Sequence, residues 1–322
     1  VDAGLTDKLP ALIRAIVGEG LLAPDDAQER TGSIALVVAT HPHSDHIRGI
    51  RQLLDTFGDR IAEFWDPGYF HTSAGYLEMM AGVEQLPNLL YAQPTSGLRR
   101  WIGNVAVTVL SPSIQLKNRF DTYGTEINDS SLSLRLEFPA SRVVQRDDER
   151  RLVERGRNRS LVLGADAQTL SWSYVLTDFP ELHTSDSAAA KAIEAATGAD
   201  LLRGHVLKIS HHGSKHGVNL ELVERIGPDV TLISSERGGG RYNFPHTVAQ
   251  ELIREAIEST TSGQLRSADH ELGIFYTSDE DDDGRVLGSF AIVISPEGDR
   301  RLWRFTDLPD DPVDFARALE WQ

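Results

Sequence analysis

Ser33-Ile34-Ala35-Leu36-Val37-Val38-Ala39-Thr40-His41-Pro42-His43-Ser44-Asp45-His46 runs from an apolar, β-branched segment straight into three imidazoles and a carboxylate. The first eight residues read as a buried strand, and Asp45 to Phe57 reads as a helix with Ile47, Ile50, Leu53 and Leu54 on one side. The histidine cluster therefore sits at a strand-to-helix junction. His41 and His43, two apart in an extended segment, point the same way, while Asp45 and His46 at the helix start face a neighbouring point. One short loop of this kind can serve two adjacent metal ions about 3.5–4 Å apart, the spacing of two-metal hydrolytic sites. At this chain's own residue frequencies the pattern arises by chance in roughly one such chain in a thousand.

Outward from this junction, short aliphatic runs alternate with amphipathic stretches, which predicts sheets carrying helices on their outer faces. Strands are expected at Ile61 to Trp65, Trp101 to Leu110, Ser131 to Phe138, Ser160 to Leu163, Val206 to Ile209 and Val230 to Ser234. Helices are expected at Ala74 to Val83, Leu220 to Arg225 and Val248 to Ile257, and Gly273 to Tyr276, Val286 to Ser295 and Arg301 to Phe305 read as antiparallel strands. Gly238-Gly239-Gly240 reads as a flexible loop. Between Ser141 and Ser160 lie seven arginines against four acids, an Arg-rich excursion that is locally basic within an acidic protein.

The charge balance, 48 acids against 32 bases for a net charge of -16, argues against a broad basic surface gripping duplex nucleic acid. The chain has 11 histidines and no cysteine, so a transition metal here is held by imidazole and carboxylate. Zinc fingers, iron–sulfur clusters, disulfides and cysteine nucleophiles are excluded. The apolar stretches are too short to cross a bilayer, so no membrane partner is expected and the cytoplasm is the expected compartment. Val1-Asp2-Ala3-Gly4 reads as a strand end turning into a loop, as if residues upstream were missing.

His41-Pro42-His43-Ser44-Asp45-His46 resembles the HxHxDH signature of the metallo-β-lactamase superfamily. Further matches follow in order. Leu161-Val162-Leu163-Gly164-Ala165-Asp166 resembles the strand ending in Gly-Asp that supplies a bridging carboxylate, with Ala165 inserted. Leu207-Lys208-Ile209-Ser210-His211-His212-Gly213-Ser214 resembles the strand and HHGS loop that supplies the last histidine ligand. Together with Asp2-Ala3-Gly4, Asn128-Asp129-Ser130-Ser131-Leu132 and Asn243-Phe244-Pro245-His246, these resemble the hydrolase domain of ComEC-type DNA-uptake proteins and its free-standing relatives. The chain departs from that pattern at Asn128 and Asp129, where binuclear members place a third imidazole, and at Phe244, where relatives often carry a histidine.

The resemblance implies a four-layer αββα sandwich, two mixed sheets with outer helices, formed by residues 1–322 as one domain. It implies one or two divalent ions, zinc first, with manganese and iron as alternatives. His41 and His43 would hold one ion, Asp45, His46 and His211 the other, and Asp166 would bridge them. Of the adjacent pair, His211 is favoured as the ligand and His212 as a substrate contact with Ser214, Lys215, Asn243 and Asn128, with His212 as the alternative ligand. Asp45 is also a candidate to orient the attacking water, and His246 to protonate the leaving group. The implied reaction is hydrolysis of a phosphodiester, in nucleic acid or a smaller molecule. Two rivals stand beside it: a lactone, thioester or β-lactam hydrolase on the same scaffold, and a metal-poor binding module.

Overall fold

Runs of two to seven apolar and β-branched residues, punctuated by Gly, Pro and Asp, become the strands of stacked sheets, and the amphipathic runs between them become the covering helices. The computed structural model describes residues 1–3, 9–10, 12–14, 34–120, 125–139, 141–146, 149–154, 157–180, 201–234, 241–261, 268–295, 297–305 and 319–321. Gly4, Ser33 and Gly238-Gly239-Gly240 lie outside the described residues. In chain order the elements are β1 (Val37–Val38), α1 (Ser44–Ile47), α2 (Ile50–Phe57), β2 (Glu63–Trp65), α3 (Ala74–Glu84), β3 (Leu90–Ala92), β4 (Arg99–Ile102), β5 (Val105–Ser111) and α4 (Ile114–Lys117). There follow β6 (Ser133–Phe138), β7 (Ser141–Arg146), β8 (Glu149–Glu154), β9 (Arg159–Leu163), α5 (Thr169–Asp178), β10 (Val206–Lys208), α6 (Leu220–Ile226), β11 (Val230–Ile233) and α7 (Thr247–Thr261). The last described elements are β12 (Ile274–Tyr276), β13 (Ser289–Ile294), β14 (Arg300–Phe305) and β15 (Leu319–Trp321).

A parallel sheet β1-β2-β3 faces a seven-stranded mixed sheet in the order β12-β11-β10-β9-β6-β5-β4. Strand alternation divides the core into layers. Val37 and Phe64 point outward and pack with Ile50, Leu53, Leu54 and Met79 of the helices over the first sheet. Their neighbours Val38 and Trp65 point inward, against Val107, Val109, Leu132 and Leu134 of the large sheet. On the far side of the large sheet, Val162, Leu207 and Ile233 pack under Trp172, Val223 and Ile253 of the outer helices. This is the four-layer αββα sandwich that the resemblance implies. A third sheet, β13-β14-β15, extends the inner layer: Leu302 and Phe290 cover the large sheet's other half at Val206, Val230 and Phe275.

Several expected elements differ in detail. The helix expected over 45–57 is two helices, because Ala3 intervenes: its N–H donates to the carbonyl of His46 at 2.8 Å and its carbonyl accepts from Gly49 N at 2.9 Å. Trp101 to Leu110 is an antiparallel hairpin turning at Gly103, so its two ends lie on separate strands. Ile274–Tyr276 joins β11 in parallel at the edge of the large sheet rather than pairing with the antiparallel tail. Helix α5, strand β3 and the short α4 have no counterpart in the sequence reading.

The Arg-rich excursion is the hairpin β7–β8, and its place is set by register. Strand β6 runs away from the end that carries Asp166, and β9 returns toward it, with Leu134 opposite Leu163 near that end and Phe138 opposite Arg159 at the other. The hairpin therefore leaves the sheet about 13 Å from the Leu163 end, four residues at the strand rise. At its foot Arg159 donates to the Gly298 carbonyl at 2.8 Å.

Backbones approach closely where β9 and β10 end. A Cβ on Gly164 would lie 2.9 Å from Ser210 N and 3.0 Å from its Cα. Gly164→Ala is therefore expected to lower folding stability by about 1–3 kcal/mol, read from denaturant unfolding. An unchanged unfolding midpoint would show that the two loops can part at no cost.

Candidate metal centre

Parallel strands deliver their following loops to one edge, and here the loops after β1, β9, β10 and β11 meet at the carboxyl ends of those strands. His41 to His46 follow β1, Asp166 follows β9, His211 and His212 follow β10, and Ser234 follows β11. Asn128 arrives from the other direction, just before β6. Ala165 takes a positive φ of 48°, uncommon for a residue with a side chain, and the turn it makes lies where the chain bends from β9 to Asp166.

The ring orientations are fixed from behind. Asp2 accepts three hydrogen bonds: from Thr40 N (2.8 Å), Thr40 Oγ1 (2.9 Å) and His46 Nδ1 (2.9 Å). Since the Thr40 hydroxyl gives its proton to Asp2, it accepts from His41 Nδ1, 3.0 Å away. The Nδ1 of His212 donates to the carbonyl of Ser234 at 2.6 Å. In all three rings Nε2 is thus the atom left to face the site. Outer partners of this kind are what orient metal-ligating histidines.

Two groups of donor atoms result, each with its members within 4.8 Å of one another: His41, His43 and Asp166, and Asp45, His46 and His212. His41 Nε2 lies 3.1 Å from His43 Nδ1 and 3.7 Å from Asp166 Oδ2. His46 Nε2 lies 3.4 Å from Asp166 Oδ2 and 3.6 Å from Asp45 Oδ2. His212 Nε2 lies 3.7 Å from Asp45 Oδ2 and 3.9 Å from Asp166 Oδ1. Donors about 2.0–2.1 Å from a tetrahedral ion stand about 3.3 Å apart, so these separations are those of ligands around a small cation. The Nε2 atoms of His46 and His212 and the Oδ1 of Asn128 are buried with no hydrogen-bond partner. A buried polar atom without a partner is costly, and a divalent ion would supply one. The donors fit such an ion.

His212, not His211, joins Asp45 and His46. Three consecutive residues, His211, His212 and Gly213, have positive φ values of 47°, 55° and 78°. In ordinary extended backbone two adjacent side chains diverge, but this left-handed turn lets both imidazoles face the centre, with ring centroids 6.5 Å apart. His211 Nε2 is 3.3 Å from Asn128 Nδ2 and 3.9 Å from Asp166 Oδ2. It sits beside Asn128, one of the positions where the sequence lacks a third imidazole.

The other sequence-predicted residues are placed as follows. Asn128 is buried next to His211, whereas Asp129 turns away, accepting from Ser171 N and Oγ in the first turn of α5. Ser214 is buried in the turn, its Oγ accepting from His216 N, while Lys215 and Asn243 are exposed. His246 donates its backbone N–H to the Gly213 carbonyl, and its Nδ1 accepts from Val248 N at 3.2 Å, which leaves the ring proton on Nε2. Lys208 is turned inward, donating to the Ile209 carbonyl. Asp2, Thr40 and Ser234 went unmarked as site residues. Asp2 was visible only as part of its Asp-Ala-Gly motif, and a backbone carbonyl such as that of Ser234 leaves no signal in a side-chain pattern.

Protonation follows from burial and charge. Burial pushes His41 down to about 3 and also lowers His43 and His211. Burial opposes charge on His46 as well, but pairing with Asp166 and Asp2 outweighs it and raises that ring to about 10. Asp45, half exposed at the mouth, is held down at about 2, chiefly by His212. Burial works against ionising Asp166, yet the surrounding imidazoles, His46 first, hold its carboxyl far below the usual range. The site thus presents ionised carboxylates among mostly neutral imidazoles, the protonation state that cations require.

A family model for the metallo-β-lactamase superfamily matches residues 1–106. Recombination protein 2 of Haemophilus influenzae is 41% identical over 68 residues, covering 19% of this chain and 8% of that protein. ComE operon protein 3 of Bacillus subtilis is 30% identical over 108 residues, 33% of this chain and 13% of that protein. The chain's matches thus span only a small part of these relatives. Among solved structures, a CmlA β-hydroxylase E377D mutant superposes with a TM-score of 0.38 at 13% identity, over 73% of this chain and 42% of that one.

Two outcomes follow. Asp2→Ala should weaken metal affinity by about 10- to 100-fold, measured by competition with a chromophoric chelator; an unchanged affinity would mean that the rings hold their orientation without it. In the metal-free protein His46 keeps its proton up to about pH 10, and an incoming ion must displace it. Apparent affinity should therefore rise about tenfold per pH unit below that value, with proton release seen by calorimetry in buffers of different ionisation enthalpy. A flat pH profile would place the ion away from His46.

Proposed function

We propose that this chain, a member of the metallo-β-lactamase superfamily and in that class a metal-dependent hydrolase, cleaves phosphodiesters in short or single-stranded nucleic acid. The observation that carries the reading is Asp166: one buried carboxylate within 4 Å of donors from both groups, His41 on one side and His46 and His212 on the other. A carboxylate shared between two ligand sets suits a pair of ions, and paired ions suit in-line displacement at phosphorus. The names of the relatives, a recombination protein and a competence-operon protein, support nucleic acid as the polymer.

Ions bound at these groups would polarise the phosphodiester and draw the pKa of a bound water toward about 7. The chain's own residues do the rest. His41, His43 and Asp166 would hold one ion and Asp45, His46 and His212 the other, with His211 and Asn128 beside them as further donors; zinc suits this donor set best, with manganese and iron as alternatives. Asp45, ionised and half exposed, orients the attacking water. His246, with its proton on Nε2, donates to the departing oxygen as the P–O bond breaks. Lys215 and Asn243, both exposed, are the residues assigned to substrate contact.

The net charge of -16 limits how such a substrate is held, since duplex affinity comes mainly from Lys and Arg. The Arg-rich hairpin does not relieve this, because it leaves the sheet at the end away from Asp166.

Metal-loaded protein should hydrolyse bis(p-nitrophenyl) phosphate and leave a γ-lactone and a β-lactam untouched. Asp166→Ala should cut turnover by at least a hundredfold, and His212→Ala should lose one ion per chain by elemental analysis while His211→Ala keeps more. Preferential turnover of the lactone would move the reaction to acyl chemistry, and an empty site after reconstitution would leave a binding module.

A further inference from the structure

A file of aromatic rings leads from the metal groups out to solvent. Phe244 lies nearly parallel to His212, with centroids 6.2 Å apart and planes at 9°, and stands edge-on to His211 at 5.2 Å. Tyr242 continues the file, stacked on Phe244 at 6.2 Å and 25°. The Arg241 guanidinium carbon sits 5.5 Å from the Tyr242 ring centroid. Exposure rises along the file: Phe244 is half-buried, whereas Tyr242 is 69% exposed. These are the spacings of offset aromatic stacks, and the outermost member, Tyr242, is largely exposed among the described residues.

We infer that Tyr242 and Phe244 form a stacking platform for an unpaired nucleobase of the strand whose phosphodiester lies at the metal groups. This rests on the phosphodiester reading and deepens it, since it makes the preferred substrate single-stranded. His212 belongs at once to the file and to the Asp45–His46 group, so the platform begins at the place of reaction. Stacking is available to every base and needs no basic groove, which answers the question posed by a chain of net charge -16. A duplex offers no base face to such a platform, because its faces are already stacked on neighbouring pairs. Arg241 over Tyr242 adds one local positive charge where the strand's next phosphate would pass.

The test compares two fluorescein-labelled octamers with phosphorothioate linkages, octathymidylate and a fully abasic strand of equal charge, binding to the metal-loaded full chain by anisotropy. The base-bearing strand should bind more tightly than the abasic one and than a duplex of the same length. Tyr242→Leu should weaken octathymidylate on the order of tenfold and largely remove its advantage over the abasic strand. Tyr242→Trp should restore that advantage, with quenching of the new tryptophan on binding. Equal affinity for both octamers in the unaltered protein, or a Tyr242→Leu loss shared equally by both, overturns the platform. The two readings fail separately. Turnover of bis(p-nitrophenyl) phosphate without base preference sinks the platform alone. Base-dependent binding through Tyr242 without any phosphodiester turnover sinks the hydrolytic reading and upholds the platform.

Discussion

The Asp2 carboxylate is the interaction on which the site depends. Its three hydrogen bonds tie the first residues of the described chain to the end of β1 and to the start of α1. One oxygen takes a backbone amide, fixing where the strand stops. The other takes the Thr40 hydroxyl and His46 Nδ1 together, which decides the tautomer of His46 directly and that of His41 through Thr40. A single carboxylate thereby aims two imidazoles from two different elements, one toward each donor group. Charge-assisted bonds of this kind are the strong ones. The half-exposed Asp45 across the site pairs with His46 and His212, which are themselves ligand candidates.

A second constraint is the geometry of strand ends. Strands β9, β10 and β11 run parallel, so their following loops converge without long excursions, and Gly164 permits the first two to touch. The turn after β10 then adopts a left-handed course through His211 and His212. Residues with a Cβ pay roughly 1–2 kcal/mol each for that conformation. It is held by Ser214 N donating to the His211 carbonyl, by His211 N donating to Ala165, and by the Ser210 hydroxyl on the Ala167 carbonyl. Strain of this kind collects where function needs a particular side-chain direction. Here it brings two neighbouring imidazoles to bear on one centre.

Most of the layer architecture was legible because it is periodic. Alternation in Val105, Val107 and Val109 and in Leu132, Leu134 and Leu136 marks one inner face, and all six lie together between the sheets. The two-residue spacing of His41 and His43 was legible for the same reason. What escaped the sequence depends on pairing between distant segments. The break in the 45–57 helix comes from Ala3, some forty residues earlier, and the choice between His211 and His212 comes from φ angles that no residue pattern encodes. The Arg-rich segment could be seen but not placed, because its distance from the centre is a matter of which end of β6 it leaves.

Charge at the centre bears on how many ions an anionic substrate requires. Asp2, Asp45 and Asp166 bring three negative charges, and the imidazoles are neutral once they are ligands. One divalent ion at the His41–His43 group, with the His46 proton still in place, would leave the centre close to neutral, whereas a second ion at the Asp45–His46 group would make it net positive. On the proposed reading the phosphodiester carries a negative charge of its own, so in an acidic protein the doubly filled centre would be the form that attracts it. The exchange of an imidazole for the carboxamide of Asn128 does not alter this balance, because both groups are neutral donors. On the proposed reading it would weaken one ligand position without changing the sign of the field, and His211, 3.3 Å from that carboxamide, is an imidazole close to it.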